Sequence, residues 1–209
     1  MDETTLFDQE RINMPRVIAG ICRGVKLAAP SGEKTRPTTD KIKEALFSIL
    51  QMRIPDCTFL DLFSGSGQMG IEAVSRGAHM AVLVDENNAA SEVILTNLRK
   101  TKLQDKTKFM KRDVLRALQV LSEEHSTFDL IYMDPPYSQA VPLFSRIATV
   151  ISEKNLLVPG GLLILEHSAT DEPPENVMNL TLYRRCKYGA TMLTFYSTDA
   201  NYYGGILSK

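Results

Sequence analysis

The tetrapeptide Asp134-Pro135-Pro136-Tyr137 carries the most specific chemistry in the chain. It follows the apolar run Phe128-Asp129-Leu130-Ile131-Tyr132-Met133, which reads as a buried strand. Two prolines at a strand end fix the backbone and remove two N–H donors, so the carbonyls there face a ligand as pure acceptors. Such a surface suits an amino group. The exocyclic amine of a nucleobase is a poor nucleophile, because its lone pair is delocalised into the ring. If Asp134 and the Pro135 carbonyl accept its two hydrogens, the nitrogen pyramidalises and aims its lone pair at an electrophilic methyl. Tyr137 supplies a flat face for a base taken out of its stack. A rigid strand-end turn would use the same four residues, so the motif needs its context.

That context is a glycine-rich loop, Asp61-Leu62-Phe63-Ser64-Gly65-Ser66-Gly67-Gln68-Met69-Gly70, after an apolar strand and before a helix. Such a loop brings backbone N–H groups close to a ligand. The Gly-x-Gly-x-x-Gly spacing alone is weak. Asp61 sharpens it, since a carboxylate aimed into the loop repels a pyrophosphate and attracts a cationic amino-acid moiety. Asp85 ends the next strand, where it can accept both hydroxyls of a ribose. Asp113 follows the third strand and can accept from an adenine amine, with the Val114 N–H donating to the ring. Asp113 would serve equally as the N-cap of the next helix.

The apolar spacing that positions these residues predicts strands over 58–62, 80–85, 108–111, 128–133 and 162–166. Helices are expected between them, over 68–76, 87–100, 114–122 and 140–153. This alternation predicts an α/β fold with a mainly parallel sheet and helices on both faces. After Pro173-Pro174, residues 181–187 and 191–197 read as an antiparallel hairpin, giving seven strands. Before the sheet, residues 16–20 and 25–27 read as two short strands around a glycine-containing connection. Residues 30–37 read as a loop, and a helix capped by Thr38, Thr39 or Asp40 runs to Leu50.

The chain has 209 residues, 44% of them hydrophobic, enough for one α/β domain with an appendage. No apolar run reaches the length of a membrane span, and the acidic N-terminus lacks a secretory pattern. Cys22, Cys57 and Cys186 are few and widely spaced, which fits a reducing cytoplasm and argues against a disulfide framework or a metal site. The net charge is −1, yet residues 14–53 hold eight basic residues against three acidic ones. A solvated face explains that excess as readily as a polyanion partner does.

With these motifs in this order, the chain resembles the class I methyltransferases, and among them the RsmD family of small-subunit ribosomal RNA guanine-N2 methyltransferases. The likeness runs from about Arg16 to about Thr198. It includes Arg16-Val17-Ile18-Ala19-Gly20, Thr35-Arg36-Pro37-Thr38, Glu44-Ala45-Leu46-Phe47, and Gly70-Ile71-Glu72-Ala73-Val74-Ser75-Arg76-Gly77-Ala78. Pro159-Gly160-Gly161, Glu166-His167 and Tyr188-Gly189 follow in the family's order. The resemblance implies a Rossmann-like domain over residues 54–198, preceded by a basic RNA-facing element (14–53); the polar, acidic residues 1–13, read as a flexible arm, and the tail (199–209) fall outside the family pattern.

It further implies S-adenosylmethionine as cofactor. Asp61, Gly65 and Gly67, in a loop with Phe63 and Ser64, would hold its methionine part, Asp85 its ribose, and Asp113 with Val114 its adenine. The family usually has Glu where this chain has Asp85, which leaves Glu86 as an alternative ribose partner. Arg16, Arg23, Lys26 and Arg36 become expected phosphate contacts. The implied partner is 16S ribosomal RNA, in a small subunit or late assembly intermediate; apart from the resemblance, a cytoplasmic protein is expected from the cysteines, and a monomer is taken as the default.

Three other functions use parts of the same pattern. A DNA adenine-N6 methyltransferase shares Asp-Pro-Pro-Tyr but needs a target-recognition insertion for which no segment is free. A nucleotide-dependent dehydrogenase shares the glycine spacing, and Asp61 argues against it. A non-catalytic RNA-binding assembly factor would not need the intact acceptor set. The motif itself leaves guanine and adenine open.

Overall fold

Strands rich in buried aliphatic residues alternate with amphipathic helices along the chain, and a computed structural model describes residues 15–30, 40–136 and 139–199. Arg36 and Tyr137 lie outside the described residues, as do the 1–13 arm and nearly all of the tail. Helix α1 (Asp40–Ile49) precedes β1 (Thr58–Asp61), α2 (Gln68–Ser75), β2 (Met80–Asp85) and α3 (Asn88–Thr101). A 3₁₀ turn (Gln104–Lys106) leads into β3 (Thr107–Lys111), α4 (Val114–Glu123), β4 (Phe128–Met133) and α5 (Ala140–Glu153). The chain then forms β5 (Leu157–Ser168), β6 (Asn176–Val177), β7 (Leu180–Tyr188) and β8 (Thr191–Ser197).

The strands form one sheet in the order β3-β2-β1-β4-β5-β8-β7-β6. The first five are parallel, and β8 runs antiparallel between β5 and β7. Side chains alternate between the faces, as period-2 geometry requires. Phe59, Leu83 and Tyr132 face α1, α2 and α3, with Phe47 of α1 stacked 6.3 Å from Phe59. Leu60, Val82 and Ile131 face the other way, toward α4 and α5. Burial of these two layers is the main drive to fold.

Three expectations change. The sheet has eight strands rather than seven, because Asn176–Val177 adds a two-residue edge on β7. Two residues are too few to show a periodic signal in sequence. The strand expected over 162–166 begins earlier, at Leu157, so that Pro159-Gly160-Gly161 lies inside β5, where the pairing with β4 shifts register. A bulge tolerates both the missing proline N–H and the left-handed Gly160. Finally, the two expected N-terminal strands reduce to one antiparallel bridge, Arg16 to Lys26.

That last change has a visible cause. The strap formed by residues 15–30 keeps backbone bonds between its arms (Val17 N–H to the Val25 carbonyl, Gly24 N–H to the Val17 carbonyl, Leu27 N–H to the Pro15 carbonyl), but its next backbone groups go to buried side chains of α2 and α3. Glu72, fully buried, accepts from the N–H groups of Ile18 and Ala19 at 2.7 and 3.0 Å. The Ser75 hydroxyl donates to the Ala19 carbonyl and accepts from the Cys22 N–H. Asn97 accepts from the Ala28 N–H at 2.8 Å and donates to the Ala28 carbonyl and to the Ser66 carbonyl. Lys43, also fully buried, donates to the Arg16 carbonyl and to Gln68 Oε1. Burial lowers the Lys43 pKa, opposed by the charges of Glu72 and Asp40.

The strap passes so close to α2 that Gly20, at φ +83°, leaves no room for a side chain. An added Cβ would stand 1.7 Å from the Ser75 carbonyl oxygen. Gly20→Ala is therefore expected to cost about 2–3 kcal/mol, a fall in Tm of roughly 5–10 °C. Thermal unfolding checks this, and an unchanged Tm would mean the strap contributes nothing to global stability.

Candidate active site

Strands β1 and β4 are neighbours, and the chain departs from them toward opposite edges of the sheet. In an open parallel sheet, this switch point leaves a crevice beyond the carboxyl ends of the strands. Asp61 ends β1, Asp85 ends β2 and Asp134 follows β4, so the fold brings these three carboxylates to one rim.

Asp61 is fully buried, and neither carboxylate oxygen has a hydrogen-bond partner among the described residues. Burial first, and the charge of Asp85 second, push its pKa up from 3.8 to about 7. The Phe63 and Gly70 amides and the Ser64 hydroxyl lie near enough to temper that rise, but none bonds the carboxylate with normal geometry. A buried acid without a partner is costly. It is consistent with a site that a cationic group completes.

The loop above Asp61 is held from below. The Ser64 hydroxyl donates to the Asp61 carbonyl and accepts from the Val84 N–H, bracing β1 against β2. Gly65 and Gly67 adopt left-handed backbones at φ +52° and +78°. Asp85 Oδ2 accepts from the Gly65 N–H at 2.8 Å, while its Oδ1 accepts from the Asn87 N–H. Asp85 thus already shapes the loop, whereas Glu86 is exposed. Phe63 is half-buried at the loop's entry.

Asp113 caps α4, its Oδ1 accepting from the N–H groups of Leu115 and Arg116 at 3.0 and 3.2 Å. The cap does not involve the amide of Val114. Along β4, Asp134 is half-buried, Pro135 buried and Pro136 exposed. The Pro136 carbonyl accepts from the Gln139 N–H at 2.9 Å, just before α5. Beside them the Tyr132 hydroxyl donates to Glu166 Oε2 at 2.6 Å, deep in the sheet. Burial, then the charges of Glu166 and Asp134, raise the Tyr132 pKa, so the phenol stays protonated as a fixed donor.

Of the expected phosphate contacts, Arg16, Arg23 and Lys26 are exposed on the strap. The Arg16 guanidinium pairs with Asp40 at 2.9 Å. His167 is buried between the Ser168 carbonyl and Thr194 Oγ1, a position that ties β5 to β8. The three cysteines are free thiols, and no group of metal-ligating side chains occurs among the described residues. No helix among them is long and apolar enough to cross a membrane.

The sequence reading missed the polar anchors under the strap. Gln68, Glu72 and Ser75 recur at i, i+4 and i+7 on α2, a polar stripe on a helix whose every residue is buried. That spacing was the available signal.

The family model described as "Conserved hypothetical protein 95" matches residues 15–197. The chain belongs to that family. A Bacillus subtilis relative, provisionally named the rRNA methyltransferase YlbH, is 36% identical over 87% of this chain and 97% of its own length. Ribosomal RNA small subunit methyltransferase D of Escherichia coli is 29% identical over 88% and 90%. A solved Escherichia coli structure, provisionally named the methyltransferase yhhF, superposes with a TM-score of 0.74 at 29% identity, over 90% of this chain and 99% of its own. By family and by fold, the protein is a class I methyltransferase.

Proposed function

We propose that the protein transfers a methyl group from S-adenosylmethionine to the exocyclic N2 amine of a guanine in 16S ribosomal RNA of the small subunit. The observation that carries this reading is the pairing across the switch point. The unpartnered, buried carboxylate of Asp61 stands on one side and the Asp134-Pro135 acceptor set on the other. Relatives named as rRNA methyltransferases support the choice of RNA.

The cofactor would supply one thing, an electrophilic methyl on a sulfonium. The chain's residues do the rest. Asp61 accepts from a cationic α-amino group, which satisfies its orphan oxygens and holds it ionised. Gly65 and Gly67 let the loop backbone approach the ligand. Asp85, or Glu86 beside it, takes the ribose hydroxyls, and Asp113 with Val114 forms the adenine edge. Asp134 and the Pro135 carbonyl accept the amine hydrogens of the target base, Pro136 stiffens that turn, and Tyr137 stacks on the base. Arg16, Arg23, Lys26 and Arg36 of the 14–53 element position the RNA through its phosphates. In this reading the enzyme works in the cytoplasm as a monomer, on a small subunit or late assembly intermediate.

The test is methyl transfer from labelled S-adenosylmethionine to small subunits that lack their native modifications, followed by nucleoside analysis. Labelled N2-methylguanosine at a single position is the expected product. Label in adenosine, or in DNA but not RNA, would replace the guanine reading with that of an adenine-N6 enzyme.

A further inference from the structure

The surface around β3 holds a stronger excess of positive charge than the N-terminal element. Residues 99–116 contain eight basic side chains and two acidic ones, in a chain of net charge −1. Arg99 and Lys100 close α3, and Lys102 caps it with a left-handed backbone. Lys106 ends the 3₁₀ turn, and Lys108 and Lys111 lie on β3. Arg112 joins β3 to α4, and Arg116 sits in the first turn of α4. All eight are exposed, and of the eight only Lys108 is ion-paired to another described residue, Glu124, at 2.6 Å.

This surface is continuous with the strap. β3 is the outermost strand, and among the described residues no strand pairs with its outer edge. The Cys22 thiol donates to the Thr101 carbonyl, and Asn97 holds Ala28, which sets Arg23 and Lys26 beside the end of α3. From there the positive charge follows β3 for about 16 Å, at roughly 3.3 Å per residue. It ends at Arg112, next to Asp113 on the rim of the crevice.

Two local explanations cover part of the pattern. Basic residues near a helix C-terminus complement its dipole, which accounts for Arg99, Lys100 and Lys102. Lysines on an edge strand discourage pairing with another chain, which accounts for Lys108 and Lys111. Neither explains Lys106 or Arg112. Arg116 stands at a helix N-terminus, where a positive charge is unfavourable. A partner that supplies negative charge along the whole face accounts for all eight.

We propose that the β3 edge, with the ends of α3 and α4, is a second docking surface for the phosphate backbone of the RNA substrate, continuing the contact made by Arg23 and Lys26. The inference rests on the RNA reading above. It predicts that RNA wraps from the strap around the outer edge of the sheet, and that affinity there is electrostatic and sequence-independent.

The triple variant Lys102→Gln/Lys106→Gln/Lys111→Gln tests it, since all three side chains are exposed and none belongs to the cofactor loop or the acceptor set. Binding to in-vitro-transcribed 16S ribosomal RNA would be measured by fluorescence anisotropy from about 50 to 300 mM salt. Each lost phosphate contact flattens the plot of log affinity against log salt by about 0.7–0.9. The expected change in slope is thus about 2–3, with a roughly 10- to 100-fold loss of affinity near 100 mM salt and an unchanged Tm and cofactor affinity. An unchanged slope, with tight wild-type binding, overturns the second surface and leaves the RNA reading standing. Wild-type protein that binds neither this RNA nor small subunits lacking their native modifications overturns both.

Discussion

Asp134→Ala is expected to lower kcat by roughly 10²–10³-fold while cofactor affinity stays within a factor of about two. The carboxylate stands after β4, across the crevice from the glycine-rich loop, so its loss leaves the loop and Asp61 untouched. What disappears is an acceptor that matters most as the amine nitrogen pyramidalises and its hydrogens become more acidic. An interaction strengthened in the transition state shows in kcat rather than in KM. Asp134→Asn keeps one acceptor oxygen in nearly the same place and should recover part of the rate. Single-turnover methyl transfer with both variants, beside calorimetry of cofactor binding, checks the assignment. Turnover equal to wild type in Asp134→Ala would remove this residue from the chemistry.

Asp61→Asn should change two quantities in opposite directions. Cofactor affinity falls by roughly 100-fold, since the variant no longer offers a buried negative charge to a cation. Stability of the ligand-free protein at pH 8 rises, because a buried charge without a partner has been removed. The pH dependence follows from the raised pKa. In the folded chain Asp61 titrates near 7, against 3.8 for the free group. Between those values the native state holds a proton that the unfolded state has lost. The stabilising proton is therefore fully present below pH 3.8, and its contribution is lost as pH rises through about 7. Wild-type protein should lose about 2–3 kcal/mol from this group between pH 5 and pH 8, and the Asn variant should lack that component. Urea unfolding of both proteins at the two pH values reads the difference. Parallel pH curves would show that Asp61 is solvated or partnered in solution. A cation bound at Asp61 pulls its pKa down again, so cofactor binding near pH 6 should release a proton from this site, visible as buffer-dependent binding heat.

Much of this was legible in the residues because it is local. The strands β1, β2 and β4 announce themselves by short apolar stretches (Phe59-Leu60, Met80–Val84 and Leu130–Met133), and the helices between them by apolar residues at helical spacing. The glycine-rich loop and Asp-Pro-Pro-Tyr are contiguous, so their identity and order could be read without coordinates. From the order alone it followed that Asp61 and Asp134 end strands of one sheet. The family resemblance, and not the motif, separated guanine from adenine.

Other features depend on residues far apart in sequence that only packing brings together. Glu72 and Asn97 look like ordinary helix positions, yet they accept the amides of residues 54 and 69 positions earlier, and this ties the two short N-terminal arms down onto α2 and α3. The orphan state of Asp61 depends on complete burial by several elements, which no local pattern encodes. The basic surface is divided among the end of α3, the edge of β3 and the start of α4, and becomes one field when the sheet order puts β3 outermost. Local composition and periodicity determined the elements and the reactive motifs, because short-range sterics and solvation act residue by residue. Burial, charge proximity and edge position were decided by the tertiary structure, because each is a property of neighbours that the chain acquires only by folding.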